Sequence, residues 1–193
     1  PGISTSKFSN CGQNSVGHGS IWFDNVCIPA EFLLGEEGKG FVQVMQGFDF
    51  SRSLIGLQCL VTARQTLDET WRYIQERHAF GQPLSKFQGI THQLAEFDTK
   101  IEAARLMCLN ALWLKDKGLP HTGEAAMSKW WPPLLAYESI HVCLLVHGHA
   151  GYSEDLPIQQ RLRDVLGLQI GDGTAHIMKN IFTKERLKQL TVG

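Results

Sequence analysis

The chain has 193 residues, enough to bury a sizeable core in one domain or in a domain with an appendage. With 43% apolar and 19% charged residues it has the composition of a globular protein, and a formal charge of −1 with an isoelectric point near 6.8 argues against nucleic acid or an anionic membrane surface as its main partner. No apolar run has the length of a membrane span and no signal-peptide pattern opens the chain.

Residues 1–30 differ in character from the rest. The chain begins at Pro1 inside a loop-like PGISTSKFSN, which reads as an interrupted start. SIWFDNVCIP, Ser20 to Pro29, is rich in β-formers and reads as a strand whose partner lies in the early loop or outside this chain. After the Gly-punctuated LLGEEGKGF (Leu33 to Phe41), helical periodicity runs from Phe41 through Arg77. A short first helix is expected to end near Gly47, and a longer one carries Leu54, Leu57, Val61, Leu67, Trp71 and Ile74.

The turn Gly81 to Lys86 follows, marked by Pro83. A helix from about Phe87 to Lys117 has the apolar stripe Leu94, Phe97, Ile101, Ala104, Cys108 and Leu112, and Gly118 with Pro120 ends it. A third runs from Thr122 or Gly123 to about His147 with Pro132 and Pro133 inside it, predicting a kink or break at Trp131. His147 to Pro157 reads as a loop, Ile158 to Leu166 as a short helix, and Ala175 to about Gln189 as the last one. Long helices joined by short turns predict an all-α, up-and-down four-helix bundle preceded by a short β-segment. Five cysteines (Cys11, Cys27, Cys59, Cys108 and Cys143), an odd number without a C-x-x-C, read as reduced thiols in the cytoplasm or a mitochondrial matrix and not as a zinc site.

Four groups of residues invite a chemical reading, each with a plain alternative. Asp49 and Arg52 in GFDFSR stand one helical turn apart, as a ligand-binding pair or a surface ion pair. In RHAFGQPLSKFQ, Arg77 to Gln88, an arginine beside an aromatic turn could grip a phosphate or simply complement a helix end. His141, His147 and His149 lack the spacing of helical metal ligands and read as structural. In LQIGDGTAHI, Leu168 to Ile177, Asp172 stands between two glycines, as a turn residue or as a base that a close backbone brings to a ligand.

In this order and at these separations the motifs resemble the acyl-CoA dehydrogenase family. The matching pieces are IPAEFLLGEEGKGF (Ile28 to Phe41), the Asp49/Arg52 pair, ERHAFGQPLSKFQ (Glu76 to Gln88), LAEFDTKIEAAR (Leu94 to Arg105), HGHAGYSEDLPIQQRLRD (His147 to Asp164) and GDGTAHI (Gly171 to Ile177), the R-x-x-F-G-x-P-x-x-x-F-Q run being the most distinctive. The resemblance implies that residues 1–30 are the tail of a central β-domain and residues 31–193 the C-terminal helical domain. It implies the cofactor FAD, an acyl-CoA substrate, an electron-transfer flavoprotein as electron acceptor and a homo-oligomer, dimer or tetramer.

Carried over by position, Asp49, Arg52 and Gly173 match substrate-binding positions. Arg77, His78, Ala79, Phe80, Phe87 and Gln88 match contacts to the FAD of a neighbouring subunit, and Thr174, Ala175 and His176 match further FAD contacts at a helix start. Asp172 falls where many members place a catalytic glutamate, the base that takes the proton α to the thioester. Asp is shorter by one methylene, about 1.5 Å, and Gly171 stands where a Tyr is common. This GDGT variant is similar to that of dehydrogenases acting on cyclohexanecarboxyl-CoA, and it implies a substrate that is cyclic or branched at the α-carbon. Leu145 and His149 depart from the Gln and Gly that often approach FAD. That departure and the proline pair also fit a catalytically silent helical oligomerisation module of the same fold.

Overall fold

The computed structural model describes residues 2–191; Pro1 and the last two residues of the 31–193 segment lie outside that range. Strands β1 (Ile3–Lys7) and β2 (Gly19–Phe23) pair antiparallel, with Ile3 opposite Phe23 and Lys7 opposite Gly19. The expected strand therefore stops at Phe23, where the chain turns through Asn25 at φ 48°, and its partner is the early segment. The loop between the strands is fastened to the helical part. The Gln13 N–H donates to Asp164 Oδ1 at 2.5 Å, and Arg163 donates to the Cys11 carbonyl at 2.7 Å.

Helix α1 (Gly40–Glu76) leads into a small hairpin, β3 (His78–Ala79) and β4 (Gln82–Pro83), and then α2 (Gln88–Asp116), α3 (Thr122–His147), α4 (His149–Tyr152), α5 (Ile158–Gly167) and α6 (Ala175–Thr191). Helices α1, α2 and α3 pack against one another, while α6 lies along α3. The four long helices form the expected bundle. Arg161 of α5 clasps Glu69 of α1 through two hydrogen bonds of 2.5 and 3.0 Å, which hold the Glu69 carboxyl below its usual range. The turn after α2 is built as expected around Gly118 at φ 66°: the Leu119 N–H reaches the Leu114 carbonyl and the Gly118 N–H that of Lys115, closing the helix end in a Schellman motif.

Several local expectations are corrected or refined. Helix α1 does not end near Gly47, which lies inside 37 continuous helical residues; one mid-helix glycine costs only about 1 kcal/mol, too little to interrupt a hydrogen-bond ladder that continues on both sides of it. There is no break at Trp131, because Pro132 and Pro133 are themselves buried and packing offsets the two lost hydrogen bonds. The stretch 147–157 contains the short helix α4 after Gly148, and the turn at 81–86 divides into the end of the β3–β4 hairpin, through Pro83, and a 3-10 turn at Leu84–Lys86. The predicted stripe of α1 is borne out at Leu67 and Ile74, which are buried, and at Leu57 and Trp71, which pack on the core, but Leu54 and Val61 are exposed and the buried face also takes in Gly56, Cys59, Ala63, Thr66 and Thr70. Small residues let α1 approach α3 closely, and the two buried threonine hydroxyls donate to carbonyls one turn back, Thr66 to Thr62 and Thr70 to Thr66.

The tightest point of this approach is Gly56. A Cβ there would overlap the Ser128 carbonyl oxygen and lie 2.9 Å from Cys108 Sγ. The Ser128 carbonyl is one that Pro132 cannot serve as a donor. Gly56→Ala should therefore destabilise the fold by about 1–3 kcal/mol, read as a lower urea midpoint at unchanged m-value.

Candidate active site

After α5 the chain folds back through Leu168–Gly173 before α6 begins. The Ile170 and Gly171 amides both return to the Gly167 carbonyl, at 3.1 and 3.2 Å. Asp172 then takes φ 56° and Gly173 φ 109°. The left-handed region is uncommon for any side-chain residue, though Asp tolerates it better than most. Gly173 suits its place because φ 109° is a conformation that side-chain residues rarely adopt, whereas the near contact of a Cβ there, Met178 Cε at 2.5 Å, is a flexible chain end that can move.

Two helices hold this turn from beneath. On α1, Ser51 Oγ donates to Asp172 Oδ2 at 2.7 Å and Arg52 Nε to the Asp172 carbonyl at 3.3 Å. Arg52 also donates through Nη1 to Asp49 Oδ1 at 2.8 Å, and Thr122 Oγ1, at the start of α3, donates to Asp49 Oδ2 at 2.7 Å. On α3, Lys129 Nζ donates to the Leu168 carbonyl at 2.8 Å and to the Gly173 carbonyl at 3.2 Å. The Asp49–Arg52 pair is thus no surface ion pair, since the Arg52 side chain is only 5% exposed. Burial pushes the Lys129 ammonium below its ordinary pKa, with the Asp172 carboxylate opposing that shift and Arg52 adding to it. Burial also pushes the neighbouring Cys59 thiol up to about 12, so Cys59 is a neutral thiol and not a thiolate partner.

Asp172, Gly173, Asp49 and Arg52 line one cleft of about 1010 Å³ between the first turns of α1 and helix α6. Its walls are apolar, with Phe41, Met45, Phe48, Ile177 and Ile181, and Lys184 and Lys188 also line it. The cleft suits a long ligand with an apolar part and an anionic part. Gly171 does not line it; it faces an adjoining cavity of about 460 Å³ between α5 and the β1–β2 loop. Thr174 and His176 are exposed at the start of α6, where Met178 N–H returns to the Thr174 carbonyl. The first amides of that helix have no intrahelical acceptor.

The remaining candidates lie at the other end of α1. Arg77 follows its last turn, and with about 1.5 Å of rise per residue it stands roughly 38 Å from Arg52. His78 pairs with Pro83 and Ala79 with Gln82, leaving Phe80 (φ 53°) and Gly81 (φ 80°) as a two-residue turn of type I′. Phe80 is 96% exposed at the tip, its ring 6.3 Å edge-on from Phe87, and Gln88 is exposed beside it. The structure thus divides the candidates into two groups and brings Asp49, Arg52, Asp172, Gly173, Thr174, Ala175 and His176 to one of them. His147 is structural, as expected: it stacks on Tyr73 at 4.1 Å and pairs through Nδ1 with the Cys143 carbonyl. Among the described residues no cluster of three or more His, Cys, Asp or Glu is arranged for a metal, and no helix is long and apolar enough to cross a membrane. Three members of the site are not among the sequence candidates: Ser51, Thr122, which is read there only as a helix start, and Lys129. The available signal for Lys129 is that it is the one charge between Glu124 and Glu138.

The sequence pattern of the acyl-CoA dehydrogenase C-terminal domain matches residues 38–187. The chain belongs to the acyl-CoA dehydrogenase family. It is 35% identical to the probable acyl-CoA dehydrogenase YngJ of Bacillus subtilis, over 97% of this chain and 50% of that protein. It is 36% identical to the cyclohexane-1-carbonyl-CoA dehydrogenase of Geobacter metallireducens, over 98% and 50%. Among solved structures, butyryl-CoA dehydrogenase from Megasphaera elsdenii superposes with a TM-score of 0.93 at 34% identity, covering 97% of this chain and 49% of that one. The chain spans about half the length of the curated acyl-CoA dehydrogenases it matches.

Replacing Arg52 by Gln leaves the Asp49 carboxylate without its cation and the Asp172 carbonyl without its donor. Asp49 keeps Thr122 and is 16% exposed, so the expected cost is about 2–4 kcal/mol, toward the lower end of what losing one member of a buried pair costs. Denaturant unfolding of the variant measures it.

Proposed function

We propose that this chain forms the C-terminal part of an FAD-dependent acyl-CoA dehydrogenase, and that Asp172 takes the proton α to the thioester. The observation that carries the reading is the placement of Asp172. Its carboxylate stands on the wall of an apolar cleft with Ser51, a neutral hydroxyl, as its hydrogen-bond donor, while the nearby Arg52 and Lys129 are turned to backbone carbonyls. A carboxylate on a cleft wall with no cation bonded to it stands free to reach a ligand carbon, which is the geometric requirement for a general base. Asp49 and Arg52 bind the acyl-CoA beside it, and Gly173 lets the backbone come close to the thioester.

The residues present suit a flavin. The exposed Arg77 and His78 offer cationic or polar donors to phosphate, Phe80 and Phe87 offer ring surface, and the α6 start at Thr174, Ala175 and His176 offers free amides. Bound FAD supplies the acceptor for the hydride that leaves the β-carbon as Asp172 takes the α-proton. The Phe80 hairpin and the network under the α6 start lie at opposite ends of α1, Arg77 being roughly 38 Å from Arg52, so we assign the two groups to different FAD molecules and propose a homo-oligomer, dimer or tetramer, as the working form. An electron-transfer flavoprotein is the proposed electron acceptor.

The proposed substrate is cyclic or branched at the α-carbon. A base shorter by about 1.5 Å suits a bulkier substrate carbon, and the 36% identity to a cyclohexane-1-carbonyl-CoA dehydrogenase supports the same class. One observation favours a catalytically silent oligomerisation module instead: Leu145, 61% exposed, offers an apolar side chain where the family often supplies a hydrogen-bonding one.

One experiment separates the readings. In the full-length protein, cyclohexanecarboxyl-CoA should bleach the flavin faster than a straight-chain acyl-CoA, and Asp172→Asn should slow bleaching and α-hydrogen exchange by about 10²–10⁴-fold. Flavin that binds but is bleached by neither thioester would establish the silent module. Phe80→Ala should leave folding stability within about 0.5 kcal/mol, as for exposed side chains generally, yet lower the flavin content of the purified protein, measured by absorbance.

A further inference from the structure

Lys129 is 1% exposed, the most deeply buried charged side chain among the described residues. Lysine is rarely buried without a charged partner, and Lys129 has no carboxylate within ion-pair distance among those residues. Buried charges of this kind are weak contributors to stability, and an apolar side chain of similar volume often serves a core better. Core packing therefore does not account for a lysine here.

The hydrogen bonds do. Lys129 Nζ reaches the Leu168 carbonyl at 2.8 Å and the Gly173 carbonyl at 3.2 Å, the two ends of the loop that carries Asp172. Between them Asp172 holds φ 56°, a backbone state that a non-glycine residue leaves unless its surroundings impose it. Arg52 adds a longer bond, 3.3 Å, to the Asp172 carbonyl. Lys129 touches the loop only through backbone oxygens, so it bears on the geometry of the loop and does not directly engage the carboxylate.

We propose that Lys129 is a positioning residue: its ammonium staples the two ends of the Leu168–Gly173 loop and thereby fixes where the Asp172 carboxylate stands in the cleft. This rests on the reading of Asp172 as the base. In the reaction the α-proton passes from substrate carbon to a carboxylate oxygen of Asp172, and Lys129 neither gives nor takes a proton.

The test is a double-mutant cycle in the full-length, flavin-loaded enzyme with the thioester that bleaches it, using Lys129→Met, Asp172→Asn and the pair. Lys129→Met should lower kcat by 10- to 100-fold, the scale of an ångström-sized misplacement, with KM changed less than threefold. In the Asp172→Asn background the same substitution should change the residual rate less than twofold. Lys129→Gln, which keeps one donor, should recover part of the loss. If Asp172→Asn is inactive but Lys129→Met keeps its kcat, the staple is wrong and the base reading stands. If Asp172→Asn keeps its activity, the base reading falls and the proposal with it. An equal further loss in the double variant overturns the proposal too, since Lys129 then acts elsewhere. Should the Lys129 variants fail to retain flavin, amide exchange on the wild-type enzyme decides: residues 168–173 as protected as the middle of α3 uphold the staple, and rapid exchange there overturns it.

Discussion

Where α1 crosses α3, Gly56 lies against the carbonyl of Ser128, and a side chain at 56 would hold the two helices apart. That carbonyl is open to such an approach because Pro132, four residues on, has no N–H to give it. One helical turn before Gly56 on the same face stands Arg52, and the residue after Ser128 is Lys129. The crossing therefore sets both cations under the Asp172 turn, one from each helix. A proline pair that seems a defect when α3 is considered alone belongs to the contact that places the site.

The electrostatic arrangement follows from that placement. Two buried cations close to a carboxylate would ordinarily form ion pairs with it, and a carboxylate so paired is a poor base. Here Arg52 has Asp49, which is itself fixed by Thr122, and it spends Nε on a backbone carbonyl. Lys129 is drawn to the two carbonyls at the ends of the loop. Asp172 is left with Ser51. The same positive charges thus stabilise a strained turn and leave the carboxylate available in the proposed reaction.

Much of the bundle could be read from sequence because its signals are local. The Leu94, Ile101, Ala104 and Cys108 stripe of α2 is buried as its spacing predicts, and Gly118 closes the helix end in the way a positive-φ glycine should. The errors lie where tertiary packing outweighs a local preference. Gly47 looks like a stop only if the cost of one glycine, about 1 kcal/mol, is taken as enough to end a long helix. The buried face of α1 is hard to recognise because close packing selects glycine, cysteine, alanine and threonine over the larger apolar residues that mark a stripe. The candidate site was legible at Asp172, Asp49 and Arg52 through the family resemblance of their motifs, since locally each also reads as a turn residue or a surface pair, and the fold brings the three to one cleft. It was not legible at Lys129 or Ser51, because hydrogen bonds between residues 44 and 121 positions apart leave no periodic trace.

Helix α1 also acts as a spacer. Its continuity through Gly47 places the Asp49–Arg52 network at one end and the Phe80 hairpin at the other, with a rigid rod of about 38 Å between them. A break near Gly47 would have freed the first turns, with Phe41, Met45 and Phe48, from the register that makes them a cleft wall beside Asp172. The far end is equally constrained: the Leu84 amide returns to the Arg77 carbonyl at 2.8 Å, so the hairpin is tied to the helix that carries it and Phe80 is presented outward by a fixed turn and not by a loose loop. An aromatic ring held in solvent by so defined a backbone has a reason to be there only if something covers it. Under the proposed function that cover is the flavin of a neighbouring subunit, and the length of α1 then sets the distance between the site that a subunit builds for itself and the one it completes for its neighbour.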